Sequence, residues 1–83
     1  MKIDLRYFAS IREALGRPGE SLETGAATLG ELRRELLGRG GAYAEALAPG
    51  KALRMALDQV MADESAPLRD GAEVAFFPPV TGG

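Results

Sequence analysis

The sequence predicts an α+β fold, a small mixed sheet with one main helix lying across one face. Three observations carry this expectation. Residues 2–8 alternate, with Ile3, Leu5 and Tyr7 facing one way and Lys2, Asp4, Arg6 and Phe8 the other, the period of a half-buried strand. Leu29, Leu32, Leu36 and Leu37 fall at i, i+3, i+7 and i+8, one apolar stripe of an amphipathic helix. Residues 74–77 read as a last strand, ended by Pro78-Pro79, neither of which can donate to a ladder. A helix stripe and one sheet face satisfy each other by burying together.

Each element has its own local signal. After the first strand, Ser10-Ile11-Arg12-Glu13 fits a capping box, with the serine hydroxyl accepting from the Glu13 amide. A short helix follows to about Leu15, and Gly16 stops it in a left-handed conformation. Arg17-Pro18-Gly19-Glu20 has the chemistry of a type II turn. Residues 20–24 make a second strand with Leu22 inward. Thr28-Leu29-Gly30-Glu31 is a second capping box, opening the main helix. Arg33, Arg34 and Glu35 fall outside its stripe, and Gly38, Gly40 and Gly41 end it.

Residues 42–50 read as a loop with one helical turn. Leu53, Met55 and Leu57 alternate with Arg54, Ala56 and Asp58 in a third strand. Asp58-Gln59 is a tight turn into a short fourth strand holding Val60 and Met61. Asp70-Gly71 is a further turn, with Leu68 as an apolar plug before it. The order is strand, short helix, strand, main helix, then three strands. Ile3, Leu5, Leu22, Leu29, Leu32, Leu36, Leu57, Val74 and Phe76 form the expected core.

Composition excludes much chemistry. The 83 residues contain no cysteine and no histidine. That removes disulfide scaffolds, thiolate or imidazole metal sites and every nucleophile that relies on a histidine base. No metal site is expected, since the carboxylates lack the register of a calcium loop. No glycine sits in a phosphate-loop pattern. The net charge is −2, against a nucleic-acid partner, which needs a basic face. No apolar run approaches the roughly 20 residues that span a bilayer, so no membrane partner and a cytoplasmic location are expected.

Two features stand outside a plain core. Parity that turns Tyr7 and Phe76 inward puts Phe8 and Phe77 on the side of the sheet away from the helix, with Met61 beside them. Such a cluster is either a docking surface or a pair of rings curled over a core edge. The second feature is the tail, Pro78-Pro79-Val80-Thr81-Gly82-Gly83. Prolines stiffen its start, and its side chains then shrink to nothing. Six extended residues reach roughly 20 Å, and glycines thread channels too narrow for other residues. An ordinary chain end would also look like this.

Taken together, Pro67-Leu68-Arg69-Asp70-Gly71-Ala72-Glu73-Val74-Ala75-Phe76-Phe77-Pro78-Pro79-Val80-Thr81-Gly82-Gly83 and Tyr7-Phe8-Ala9-Ser10-Ile11-Arg12-Glu13 resemble the small, sulfur-carrying subunit of molybdopterin synthase. The resemblance covers the chain. It departs at Asp58, where asparagine is usual, and at Ala72, where an acid is common. It implies a ubiquitin-like β-grasp domain over residues 1–77 and an extended tail over residues 78–83.

The resemblance further implies that the chain is no enzyme on its own. An E1-like adenylating enzyme would use ATP to activate Gly83, and sulfur transfer would leave a C-terminal thiocarboxylate. The tail residues Pro78, Pro79, Val80, Thr81 and Gly82 would deliver it into the large subunit, in a heterotetramer of two small and two large subunits. There the sulfur would attack the cyclic pterin precursor, two transfers building the dithiolene. No cofactor is expected on this chain itself. Phe8, Met61 and Phe77 align with a family docking patch for both the large subunit and the activating enzyme, with Arg12 at its polar rim. Other outcomes for the same fold are a sulfur carrier for thiamine or cysteine synthesis, a protein modifier, or an interaction module with an inert tail.

Overall fold

A computed structural model describes residues 1–48 and 52–79. The alternating first segment forms β1 (Lys2–Tyr7), followed by α1 (Ala9–Leu15) and β2 (Gly19–Glu23). The leucine stripe forms α2 (Leu29–Leu37), and a short α3 (Gly41–Ala46) takes the place of the expected loop with one turn. Then come β3 (Arg54–Leu57), β4 (Val60–Ala62) and β5 (Glu73–Phe77). The sheet runs β2-β1-β5-β3-β4. β1 and β5 pair in parallel, with Leu5 beside Val74 and Tyr7 beside Phe76, while the other neighbours are antiparallel.

Burial follows the predicted parity. Ile3, Leu5, Val74 and Phe76 from the sheet meet Leu29, Leu32 and Leu36 from α2 in one core. Leu22 and Leu57 pack only at its margin, because each lies toward a sheet edge. Tyr7, Ile11, Leu47, Met55 and Ala72 are further buried members. Asp58 and Gln59 both have positive φ, 49° and 69°, the backbone of a type I′ hairpin that matches the strand twist.

The two capping boxes fare differently. Thr28 Oγ1 accepts from the Glu31 amide at 3.2 Å, as expected. The amides of Leu29 and Gly30 donate to the carbonyls of Ala66 and Glu64 at 3.0 and 2.9 Å. Three donors orphaned by the helix start therefore find partners. Glycine at position 30 permits this approach, since a Cβ there would lie 3.1 Å from the Glu64 carbonyl oxygen.

Ser10, by contrast, caps nothing. Phe8 is the N-cap, without a side-chain cap bond, and its carbonyl accepts from Ile11 and Arg12. The Phe8 amide is tied to the Phe76 carbonyl, and Ala9 then turns with φ 50°. The helix thus begins before Ser10 can close it. Gly16 does end α1 in the left-handed region, φ 74°.

Two other expectations are corrected. Gly19 is not the third residue of a type II turn. It is the first residue of β2, opposite Arg6. Its value is close approach, because a Cβ would collide with the Leu5 carbonyl oxygen. Arg33 is not outside the helix stripe but buried. It lies four residues after Leu29 and three before Leu36, at the stripe's flank. Its guanidinium donates to the carbonyls of Leu47 and Ala48 at 2.8 and 2.7 Å and to Glu64 at 3.0 Å.

A second charged hub lies under β2. Strand parity turns Glu20 to the same face as Leu22, leaving its side chain 13% exposed. The hydroxyls of Tyr7 and Tyr43 donate to one carboxylate oxygen at 2.9 and 2.7 Å. Arg39 reaches the other at 3.1 Å and Arg17 at 3.4 Å. Burial opposes the charge, but the bonds from Tyr43, Arg39 and Tyr7 outweigh it and hold the carboxyl below its ordinary 4.5. Burial and the same carboxylate push the Tyr7 hydroxyl well above its ordinary range.

The hub gives the fold a pH dependence. Below 4.5 the unfolded chain takes up the Glu20 proton before the folded chain does. Its contribution is therefore complete above 4.5 and is lost as pH falls through the lower folded value. Glu20→Gln should flatten the acid side of the stability profile in urea unfolding between about pH 3 and 6. Some slope should survive, because Asp58 and Asp63 are also held low, the first by the Glu73 amide and Arg69, the second by Ser65. An unchanged slope would refute the role given to the hub.

Candidate functional site

The sheet face opposite α2 carries the exposed aromatics. Phe8 is 48% exposed and Met61 59%, while Phe77 is half-buried. The Phe8 and Phe77 rings meet edge to face, with centroids 6.5 Å apart at 85°. Two central strands bring them together. Phe8 follows β1 and Phe77 ends β5, and these strands are parallel neighbours. The rings do not curl over a core edge; the core is sealed by Tyr7 and Phe76, stacked at 6.4 Å on the other face.

The register explains the floor of this surface. Ala75 pairs with Ala56, and Ala56 pairs with Met61. Two small side chains thus separate Phe77 from Met61 and leave a shallow apolar strip between large ones. Arg54, exposed, sits opposite Phe77 on β3. Arg12 is exposed on α1, one helical turn after Phe8. The structure therefore joins Phe8 to Phe77, puts Met61 on the same face two strands away, and leaves Arg12 at the flank. Arg54 was missed by sequence reading, although its alternation with Met55 places it on this face.

Pro78 and Pro79 lie half-buried just past β5, beside the aromatic pair. The expected tail residues Val80, Thr81, Gly82 and Gly83 lie outside the described residues. Among the described residues no three acidic, histidine or cysteine side chains converge as a metal site. Among the described residues no helix is long and apolar enough to cross a membrane.

A mixed sheet with its first and last strands parallel at the centre, holding one main helix, defines a ubiquitin-like β-grasp protein, and here one with an exposed aromatic pair beside its last strand. Comparison with known proteins agrees. The ThiS family model matches residues 5–83. The chain is 40% identical over 81 residues to the molybdopterin synthase sulfur carrier subunit of Escherichia coli (strain K12), covering 98% of this chain and 99% of that one.

Among solved structures, it is similar to a chain from the protein–protein complex of subunits 1 and 2 of molybdopterin-converting factor from Helicobacter pylori. That likeness has a TM-score of 0.70 and 28% identity, and covers all of both chains. It also resembles SAMP1 from Haloferax volcanii, with a TM-score of 0.77 and 25% identity over all of both chains. The chain belongs to the ThiS family and, within it, to the molybdopterin synthase sulfur carrier subunits.

Proposed function

We propose that this chain carries sulfur on its own terminal carboxyl group, at Gly83, as the small subunit of molybdopterin synthase. The strongest support is a family match that runs through Gly83 in a chain with no side-chain nucleophile of the cysteine or histidine kind. A free carboxylate is a poor electrophile. An E1-like enzyme makes it a good one by letting it attack the α-phosphorus of ATP, which releases pyrophosphate and leaves an acyl-adenylate. A sulfur nucleophile then displaces AMP and leaves the thiocarboxylate. The large subunit receives the tail, and the sulfur attacks the pterin precursor there. Hydrolysis of the acyl–sulfur bond returns the carboxylate, and a second carrier supplies the second sulfur.

In this scheme the chain does no acid–base chemistry. It docks through Phe8, Met61 and Phe77, with Arg12 at the rim, and it positions one carboxyl group. Orientation of this kind supplies a large share of a barrier reduction. One face and one tail serve both the activating enzyme and the large subunit, so the two bind in turn, and two small with two large subunits complete the synthase.

Intact-mass measurement tests the proposal. Incubation with the activating enzyme, ATP and a sulfur source should raise the mass by the difference between sulfur and oxygen. An unchanged mass would sink the carrier reading. Covalent attachment of Gly83 to lysines of other proteins would mark a protein modifier instead.

A further inference from the structure

A groove of about 310 Å³ opens between α1 and α3. Ile11, Ala14, Ala46, Leu53 and Pro78 line it, and among the described residues Glu45 is the only ionisable side chain in its lining. The walls are fixed. Tyr43 anchors α3 to Glu20, and Arg33 holds the carbonyls of Leu47 and Ala48 just past the end of α3. A preformed apolar groove loses little ordering entropy when it is filled.

The groove is continuous with the aromatic face. Phe8 leads into α1, whose next residues supply Ile11 and Ala14, and Phe77 leads directly into Pro78. A protein seated on Phe8 and Phe77 therefore lies beside the groove, whose lining includes Pro78, one residue past Phe77. Among the described residues Glu45 makes no ion pair, and it is exposed on the rim. The matching occupant is therefore apolar at its tip with a cation alongside.

We propose that this groove receives a large aliphatic or aromatic side chain of the synthase large subunit, with a lysine or arginine of that subunit against Glu45. The inference rests on the proposed function and deepens it by adding a second anchor at the root of the tail. The large subunit is chosen because a relative is known in a complex of subunits 1 and 2.

The test titrates the full chain into the large subunit by calorimetry, with thermal unfolding alongside. Glu45→Lys should weaken binding on the order of tenfold, and the loss should shrink at high salt. Ala14→Trp fills the groove and should weaken binding by at least about tenfold, independent of salt. Both positions are exposed, so melting temperatures should hold. Ala14→Leu replaces Ala14→Trp if the larger ring disturbs folding.

Phe77→Ala serves as the reference and should weaken binding more than it lowers stability. Wild-type binding by both groove variants beside a loss in Phe77→Ala overturns the groove and leaves the docking face standing. Wild-type binding by all three overturns both. A loss seen only with the activating enzyme overturns the assignment to the large subunit.

Discussion

Removal of Gly82 and Gly83 should abolish sulfur transfer while leaving thermal unfolding unchanged. The truncated chain would end at Thr81, about 7 Å short if extended. Its terminal carboxyl would sit on a β-branched residue instead of one without a Cβ. Near-attack geometry tolerates errors far smaller than this. The described core is built from residues between Ile3 and Phe76, and a glycine has no side chain to add to it. Intact mass should show no thiocarboxylate after activation, and reconstitution with the large subunit should yield no product. A drop in melting temperature of more than a few degrees would contradict the separation of fold from function.

Arg33→Met should be the most costly single change at a polar position. The methionine keeps much of the apolar stem but removes every donor. Two carbonyls, of Leu47 and Ala48, lose bonds of 2.8 and 2.7 Å, and the site is closed, with the Arg33 side chain 9% exposed. Orphaned buried acceptors cost about 1–3 kcal/mol each. Glu64 is more than half exposed, so its freed charge returns to water and adds little. A loss of about 2–4 kcal/mol is expected, a fall in melting temperature on the order of 10–20 °C for a domain of this size. Arg34→Met, on the exposed side of the same helix, should change stability by less than about 0.5 kcal/mol. Equal effects at the two positions would remove the special role of Arg33.

Most strands and the main helix were legible because their signals are local. The alternation in residues 2–8, the leucine stripe and the Thr28 cap each specify geometry without reference to distant residues, and each is present. Asp58-Gln59 likewise announced its hairpin. What escaped depends on distant partners. Ser10-x-x-Glu13 satisfies a capping pattern, but the Phe8–Phe76 bond commits the chain two residues earlier. Pro18-Gly19 satisfies a turn pattern, but packing against the Leu5 carbonyl claims the glycine for a strand.

The charged hubs escaped for a related reason. Arg33 and Glu20 lie on inward-facing positions by spacing alone, yet a charge is credible there only when its partners are known. Those partners come from Leu47, Ala48 and Glu64 in one case and from Tyr7, Tyr43 and Arg39 in the other. On the outer sheet face, strand parity placed Phe8, Phe77 and Met61 on one side. It could not bring out Arg54, whose place beside Phe77 depends on the β3–β5 register.

The contact between Phe8 and Phe77 joins the eighth residue to one only six from the end. Parallel pairing of β1 with β5 brings together strands separated by nearly the whole chain, the kind of long-range closure that forms late and slowly. The two strands must pair before the two rings meet. The aromatic face is therefore a property of the closed sheet, and neither strand carries it alone.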